Sequence, residues 1–258
     1  MQLLDIQIIG IIMMLNSKMY TRGCKQIMPK KNFTATSDAV YNQLRQQILY
    51  LELPPGVSIS EIETAEKYDI SRTPVRDAFK RLELEHLLEI RPHIGTFISL
   101  IDLNAVSDVL YMREVLEYAV LSELANQYDV SLELRVQLLL QEQEELLNSN
   151  LPTEELSRSF IINDNEFHDT LFDAAGKKNI RKYLSYMNAQ YERFRTLVNF
   201  SGKNDLQKLY NGHVTIWNCI KNKDIDALKE HLHHHIYDGF NTSSDVIRKY
   251  PDYFKKLK

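Results

Sequence analysis

The stretch SRTPVRDAFKRL, residues 71–82, carries a helix start with a proline between two arginines. Ser71 stands in an N-cap position, and Pro74 falls in the first turn, where its missing N–H would have no intrahelical partner anyway. Val75, Phe79, Leu82 and Leu87 then form an apolar stripe at helical spacing. Arg72 and Arg76, four residues apart, share one face beside the positive end of the helix dipole. Positive charge is unfavourable there, so the pattern calls for a negative partner.

Working outward, Val40, Leu44, Ile48 and Leu51 recur at helical spacing through residues 36–51. LPPGVSIS ends that helix with a turn. Ser60 and Glu63 form a capping-box pattern that opens a short helix, with Ile62 and Ala65 expected to face inward. Beyond the 71–82 helix, LLEI and TFIS are short β-prone runs around RPHIG, predicting a small hairpin with Gly95 in its turn. Three helices and a two-stranded wing make the plan of a winged helix-turn-helix. In such domains the second helix of the motif enters the major groove and its N-terminal side chains reach base edges. Arginine suits guanine O6 and N7, which it contacts bidentately, so Arg72 and Arg76 are the base-reading candidates. Charge alone points the other way, since residues 36–100 hold 7 Lys and Arg against 10 Asp and Glu. Residues 18–31 partly redress this with Lys18, Arg22, Lys25, Lys30 and Lys31 and no acid.

The whole chain of 258 residues has only 8 glycines and 7 prolines, which favours a mostly helical protein with few strands. Two distant cysteines, Cys24 and Cys219, form neither a disulfide framework nor a CxxC motif, so a reducing, cytoplasmic location is expected. The apolar run LLDIQIIGIIMML, residues 3–15, is interrupted by Asp5 and Gln7 and lacks a preceding basic region. It therefore reads as neither membrane span nor signal peptide. Residues 1–35 are read as an N-terminal extension, with Met19 and Met28 as alternative translation starts.

Residues 102–258 read as almost uninterrupted helix, with segments near 103–127, 131–148, 154–175, 178–200, 204–222 and 224–240. Short connections imply antiparallel neighbours and a compact bundle of six or seven helices. Several polar residues fall on its inner faces. Asp164 and His168, one turn apart, lie in the stripe Phe160, Phe167, Leu171. His213 lies among Leu209, Ile216 and Ile220, and His235 continues Leu228 and Leu232. One carboxylate and three imidazoles could converge on a divalent ion, or each could be a hydrogen-bonded core residue. His231, four before His235, competes with it. Arg113 falls in the stripe Val106, Leu110, Glu117, Val120, Leu124, where a charge is costly unless paired. It either pairs with Glu117 or awaits a carboxylate from outside.

Taken together, LPPG, SRTPVRDAFKRLELEHLL and RPHIGTFIS resemble the DNA-binding domain of the GntR family of bacterial transcriptional regulators. DNEFHDTLFDAAGKKNI, GHVTIW and the last histidine resemble the FadR-type C-terminal domain, FCD. Leu51 and His86 stand where the family usually has glycine, and Thr64 where it usually has leucine. The resemblance implies a winged domain over 36–100 that touches double-stranded DNA through Arg72, Thr73, Arg76, His93 and Gly95. It implies an effector-binding and dimerisation domain over 101–258, with Asp164, His168, His213 and His235 as ligands of a divalent metal, zinc first, nickel or manganese otherwise. Arg113 would hold a small organic acid, and a homodimer would read a near-palindromic operator. A metal-dependent enzyme is the rival class, but no HExxH or GxSxG motif accompanies the histidines. No membrane partner is expected.

Overall fold

The computed structural model describes residues 37–200 and 203–256. The readings of residues 1–35, including the basic run and Cys24, lie outside the described residues.

The first three helices are α1 (Ser37–Leu49), α2 (Glu61–Tyr68) and α3 (Arg72–Leu84). Val40, Leu44 and Ile48 from α1 meet Val75, Phe79 and Leu82 from α3, with Leu87, in one buried core. Ser60 caps α2, its hydroxyl accepting from the amides of Ile62 at 3.2 Å and Glu63 at 3.5 Å. Ser71 holds the N-cap position of α3 with extended backbone, but its hydroxyl makes no capping bond. Ile62 is 50% exposed, against expectation, because Thr64 and Ala65 take the buried stripe of this short helix. Ile62 lies two residues before Thr64, roughly 200° around the cylinder.

The wing consists of β2 (Leu88–Arg91) and β3 (Gly95–Ile98), antiparallel with Leu88 opposite Ile98 and Arg91 opposite Gly95. A third strand, β1 (Ser58–Ile59), pairs with the other edge of β3 and gives the order β1-β3-β2. Two residues are too few to show alternation, so the sequence predicts only a two-stranded wing. Gly95 opens β3 rather than occupying the turn, at a φ of +146°. The turn residue with left-handed backbone is His93, at a φ of 62°. Leu51 and His86 adopt φ values of 60° and 56°, the conformation in which a glycine would be unstrained.

The remaining helices are α4 (Leu103–Leu124), α5 (Val130–Asn148), α6 (Thr153–Ala174), α7 (Lys178–Met187), α8 (Ala189–Asn199), α9 (Lys203–Asn222), α10 (Ile225–Asn241) and the short α11 (Ser244–Lys249). Asp102, Asp129 and Asp224 cap α4, α5 and α10 through side-chain oxygens. Val106, Leu110, Phe167, Leu171, Ile216 and Leu232 contribute to a common core. The helix expected over 178–200 is broken at Asn188 into α7 and α8. The break follows from tertiary packing, since Ala189 is drawn into the winged-domain core.

That helix also holds the two parts of the chain together. Gln190 donates to the His86 carbonyl at 3.1 Å and accepts from the Asp102 amide at 3.2 Å. Arg193 is fully buried and donates to the Ser99 carbonyl at 2.6 Å, the Ser99 hydroxyl at 3.1 Å and Gln190 Oε1 at 2.7 Å. It has no ion-pair partner among the described residues, and burial pulls its pKa down. Arg158 reaches Glu52 across the same junction at 2.6 Å.

Candidate functional site

At the start of α3, Arg72 and Arg76 project into solvent, 55% and 53% exposed. Glu61 of α2 supplies the negative partner expected from the sequence, at 3.5 Å from Arg72 and 3.3 Å from Arg76. Ion pairs this long and this exposed hold little energy, so both guanidiniums can exchange Glu61 for another anion. Thr73 is exposed beside them, and His93 and Gly95 are exposed at the tip of the wing.

Inside the bundle, Asp164 and His168 of α6, His213 of α9 and His235 of α10 each offer one ligand atom, all within 4.8 Å of one another. Of the two candidates in HLHHH, His235 joins this cluster, while His231 is exposed. His213 Nδ1 lies 2.8 Å from Gln143 Oε1, and Gln143 uses its amide to donate to Asn163 at 2.8 Å. That places the proton on His213 Nδ1 and leaves the Nε2 lone pair free, 3.2 Å from Asp164 Oδ1. His168 Nδ1 faces Glu117 Oε2 at 3.2 Å, which orients its other nitrogen in the same manner. His168 Nε2, His213 Nε2 and His235 Nδ1 are all buried without a hydrogen-bond partner. Buried imidazole nitrogens are normally satisfied, so this set fits a divalent cation bound by His and carboxylate donors.

Electrostatics agree with that chemistry. Burial lowers the pKa of His213 despite Asp164, and burial together with the other two histidines holds His235 well below its ordinary value. Burial would raise Asp164, but the Arg195 guanidinium beside it outweighs burial and keeps the carboxyl well below the usual range. Neutral imidazoles and an ionised carboxylate are the ligating forms.

A cavity of about 240 Å³ opens beside the cluster, lined by Arg113, Asp164, Tyr191, Arg195 and His235 among others. Arg113 is buried and donates to Glu117 at 2.6 Å and to the Tyr191 hydroxyl at 2.6 Å. The internal pair expected with Glu117 is therefore present, and the guanidinium still borders the cavity. Arg195, which donates to Asp164 and to Glu192, escaped the sequence reading, as did Gln143. Their partners lie across the fold, and no local spacing signals them. The glycine of GHVTIW has a geometric cause, because a β-carbon on Gly212 would stand 2.6 Å from His235 Nδ1.

A winged helix-turn-helix joined to an all-helical bundle defines a DNA-binding transcriptional regulator. Residues 36–98 match the bacterial regulatory proteins of the gntR family, and residues 108–238 match the FCD domain. The chain belongs to the GntR family of HTH-type transcriptional regulators and carries the FCD type of C-terminal domain, and these are regulators rather than enzymes. It is 33% identical over 172 residues, 66% of its length and 69% of the relative's, to an HTH-type transcriptional regulator from an unstable DNA locus of Streptomyces ambofaciens. It is 24% identical to the HTH-type transcriptional repressor RspR of Escherichia coli, over 84% of this chain and 92% of that one. The fold is shared with the solved structure of E. coli McbR/YncC, with a TM-score of 0.66, 15% identity, and coverage of 85% of this chain and 100% of that one. Among the described residues no helix is long and apolar enough to cross a membrane.

Proposed function

We propose that this regulator holds a divalent metal, zinc first, at Asp164, His168, His213 and His235, and that a small carboxylate effector bound there and at Arg113 modulates operator binding. The observation that carries the reading is the convergence of three unpartnered imidazole nitrogens with one ionised carboxylate at the edge of a cavity. A bound divalent ion would supply positive charge and a coordination position for an anion. Arg113, held by Glu117 and Tyr191, would orient the carboxylate from one side without having to be ordered on binding. Residues 36–100 would read DNA and residues 101–258 would bind the effector and dimerise.

On the DNA side, Arg72 and Arg76 would exchange Glu61 for base edges or phosphates, Thr73 would support them, and His93 and Gly95 would place the wing on the backbone. Two copies would read the halves of a near-palindrome. The dimer reading is supported by exposed apolar and aromatic side chains on two helices packed together, Tyr111 and Val115 of α4 and Tyr183 and Met187 of α7.

Recovery of genomic fragments by the protein, followed by titration of the selected operator with zinc and carboxylates, tests the reading. A shared near-palindrome whose affinity changes with carboxylate only when zinc is present is the expected result. Coupling must be reciprocal, so operator DNA should change effector affinity by the same factor. Effector affinity unaltered by operator would sink the switch.

A further inference from the structure

We infer that the effector is a compact amphipathic monocarboxylate with a hydrogen-bond acceptor at the end remote from its charge, rather than a sugar acid or a dicarboxylate. This inference rests on the metal-and-carboxylate reading above and narrows it. Three features of the cavity carry it.

The first is its apolar wall. Phe194 and Val198 of α8, Leu209 of α9, and Ile236 and Phe240 of α10 line the space beyond the charged end. The rings of Phe194 and Phe240 lie 5.6 Å apart. Hydroxyl groups laid against these side chains would lose water without gaining partners, which disfavours a polyhydroxylated chain. A volume of about 240 Å³ lies below the roughly 300–1,000 Å³ of sites for drug-sized ligands, so the occupant is small.

The second is charge. Around the cavity, the carboxylates of Glu117, Asp164 and Glu192 pair with the guanidiniums of Arg113 and Arg195. One negative charge is left over, and a divalent ion turns it into one positive charge. A single carboxylate restores neutrality, whereas a second would enter a space where both buried arginines already hold carboxylates.

The third is Asn199, the last residue of α8. Its side chain borders the cavity, it is 4% exposed, and its amide nitrogen is buried without a partner. The Asn199 carbonyl accepts from Ser157 at 3.0 Å, and Ser157 precedes Asp164 on α6 by seven residues, about 10 Å along the axis. The free donor thus sits at the opposite end from the metal cluster, where an acceptor on the ligand would satisfy it.

Isothermal titration of the zinc-loaded full chain with phenylacetate, 4-hydroxyphenylacetate, gluconate and adipate tests the inference. Phenylacetate should bind at least about tenfold more tightly than gluconate or adipate, and its 4-hydroxy form more tightly still. Phe240→Ser should weaken phenylacetate about tenfold while zinc affinity, read by chelator competition, stays unchanged. Asn199→Leu should remove the advantage of the 4-hydroxy form, and persistence of that advantage would overturn the role of Asn199. If gluconate or adipate binds at least as tightly as phenylacetate, and only with zinc present, the inference fails and the carboxylate reading stands. Should no carboxylate bind, or all bind alike after zinc is removed, both fall.

Discussion

Gly212 and His235 sit so close that a β-carbon on the glycine would lie 2.6 Å from the histidine Nδ1. The approach brings α10 against α9 and seats the His235 imidazole beside those of His168 and His213. Gly212→Ala should therefore push the His235 ring out of place. Alanine favours a helix interior over glycine by up to about 1 kcal/mol, which offsets part of the strain and should keep the fold. Zinc affinity, measured by chelator competition, should fall by about 10–100-fold, as for disturbed ligand orientation elsewhere. Unchanged zinc affinity with unchanged helicity would remove His235 from the ligand set.

The exposed arginines of α3 give a separate test. Arg72→Ala and Arg76→Ala should each cost about 1–3 kcal/mol of operator affinity and relax preference at the base each contacts. Fluorescence anisotropy with single-base operator variants measures both effects. A uniform loss across all operator variants would make the residue a phosphate contact instead.

Acid should destabilise the metal-free protein over a defined window. His213 and His235 have lowered pKa values in the folded chain, so as pH falls below about 6.5 the unfolded chain takes up protons that the folded one refuses. Stability is then fully present above the unfolded value and declines as pH drops from about 6.5 towards 5, by up to about 1.4 kcal/mol per pH unit for each histidine. Urea denaturation at several pH values reads the slope. His235→Gln should remove the contribution of one proton from it, and an unaltered slope would place the titration elsewhere.

His86 offers a gain rather than a loss. It is exposed at a φ of 56°, while its carbonyl accepts bonds from Ser99 and Gln190. Glycine would relieve the left-handed strain and keep the carbonyl where it is. After the entropy that glycine adds to the unfolded chain, His86→Gly should raise stability by about 0.5–1 kcal/mol, visible as a higher urea midpoint. A lower midpoint would mean that the imidazole makes a contribution larger than the strain.

Legibility in the sequence followed the range of the interactions. Asp164 and His168 could be paired because residues four apart on one helix share a face, and His235 could be preferred to His231 because it continues the phase of Leu228 and Leu232. Arg113 could be matched to Glu117 by the same rule, and the structure places both in one buried pair. The second contact of Glu117, to His168, bridges two helices 51 positions apart and leaves no local trace. Gln143 and Arg195 went unseen for that reason, as did the end of α7 at Asn188. That break is decided by packing of Ala189 on another domain, and Asn188 in SYMNAQY, although a residue type favoured at N-caps, makes no side-chain capping bond. The inward placement of Ile62 failed because a two-turn helix leaves the choice of face to its neighbours.

The guanidinium of Arg193 has a consequence for how the molecule comes apart. Its hydrogen bonds end on Ser99, where the wing gives way to the bundle, and on Gln190 of its own helix. Removing either part would strip partners from a charge that no carboxylate among the described residues neutralises, and would expose the face that Ala189 covers. Neither part is thus indifferent to the loss of the other. The winged domain and the helical bundle should therefore melt as one cooperative unit, in which tightening one end raises the cost of unravelling the other.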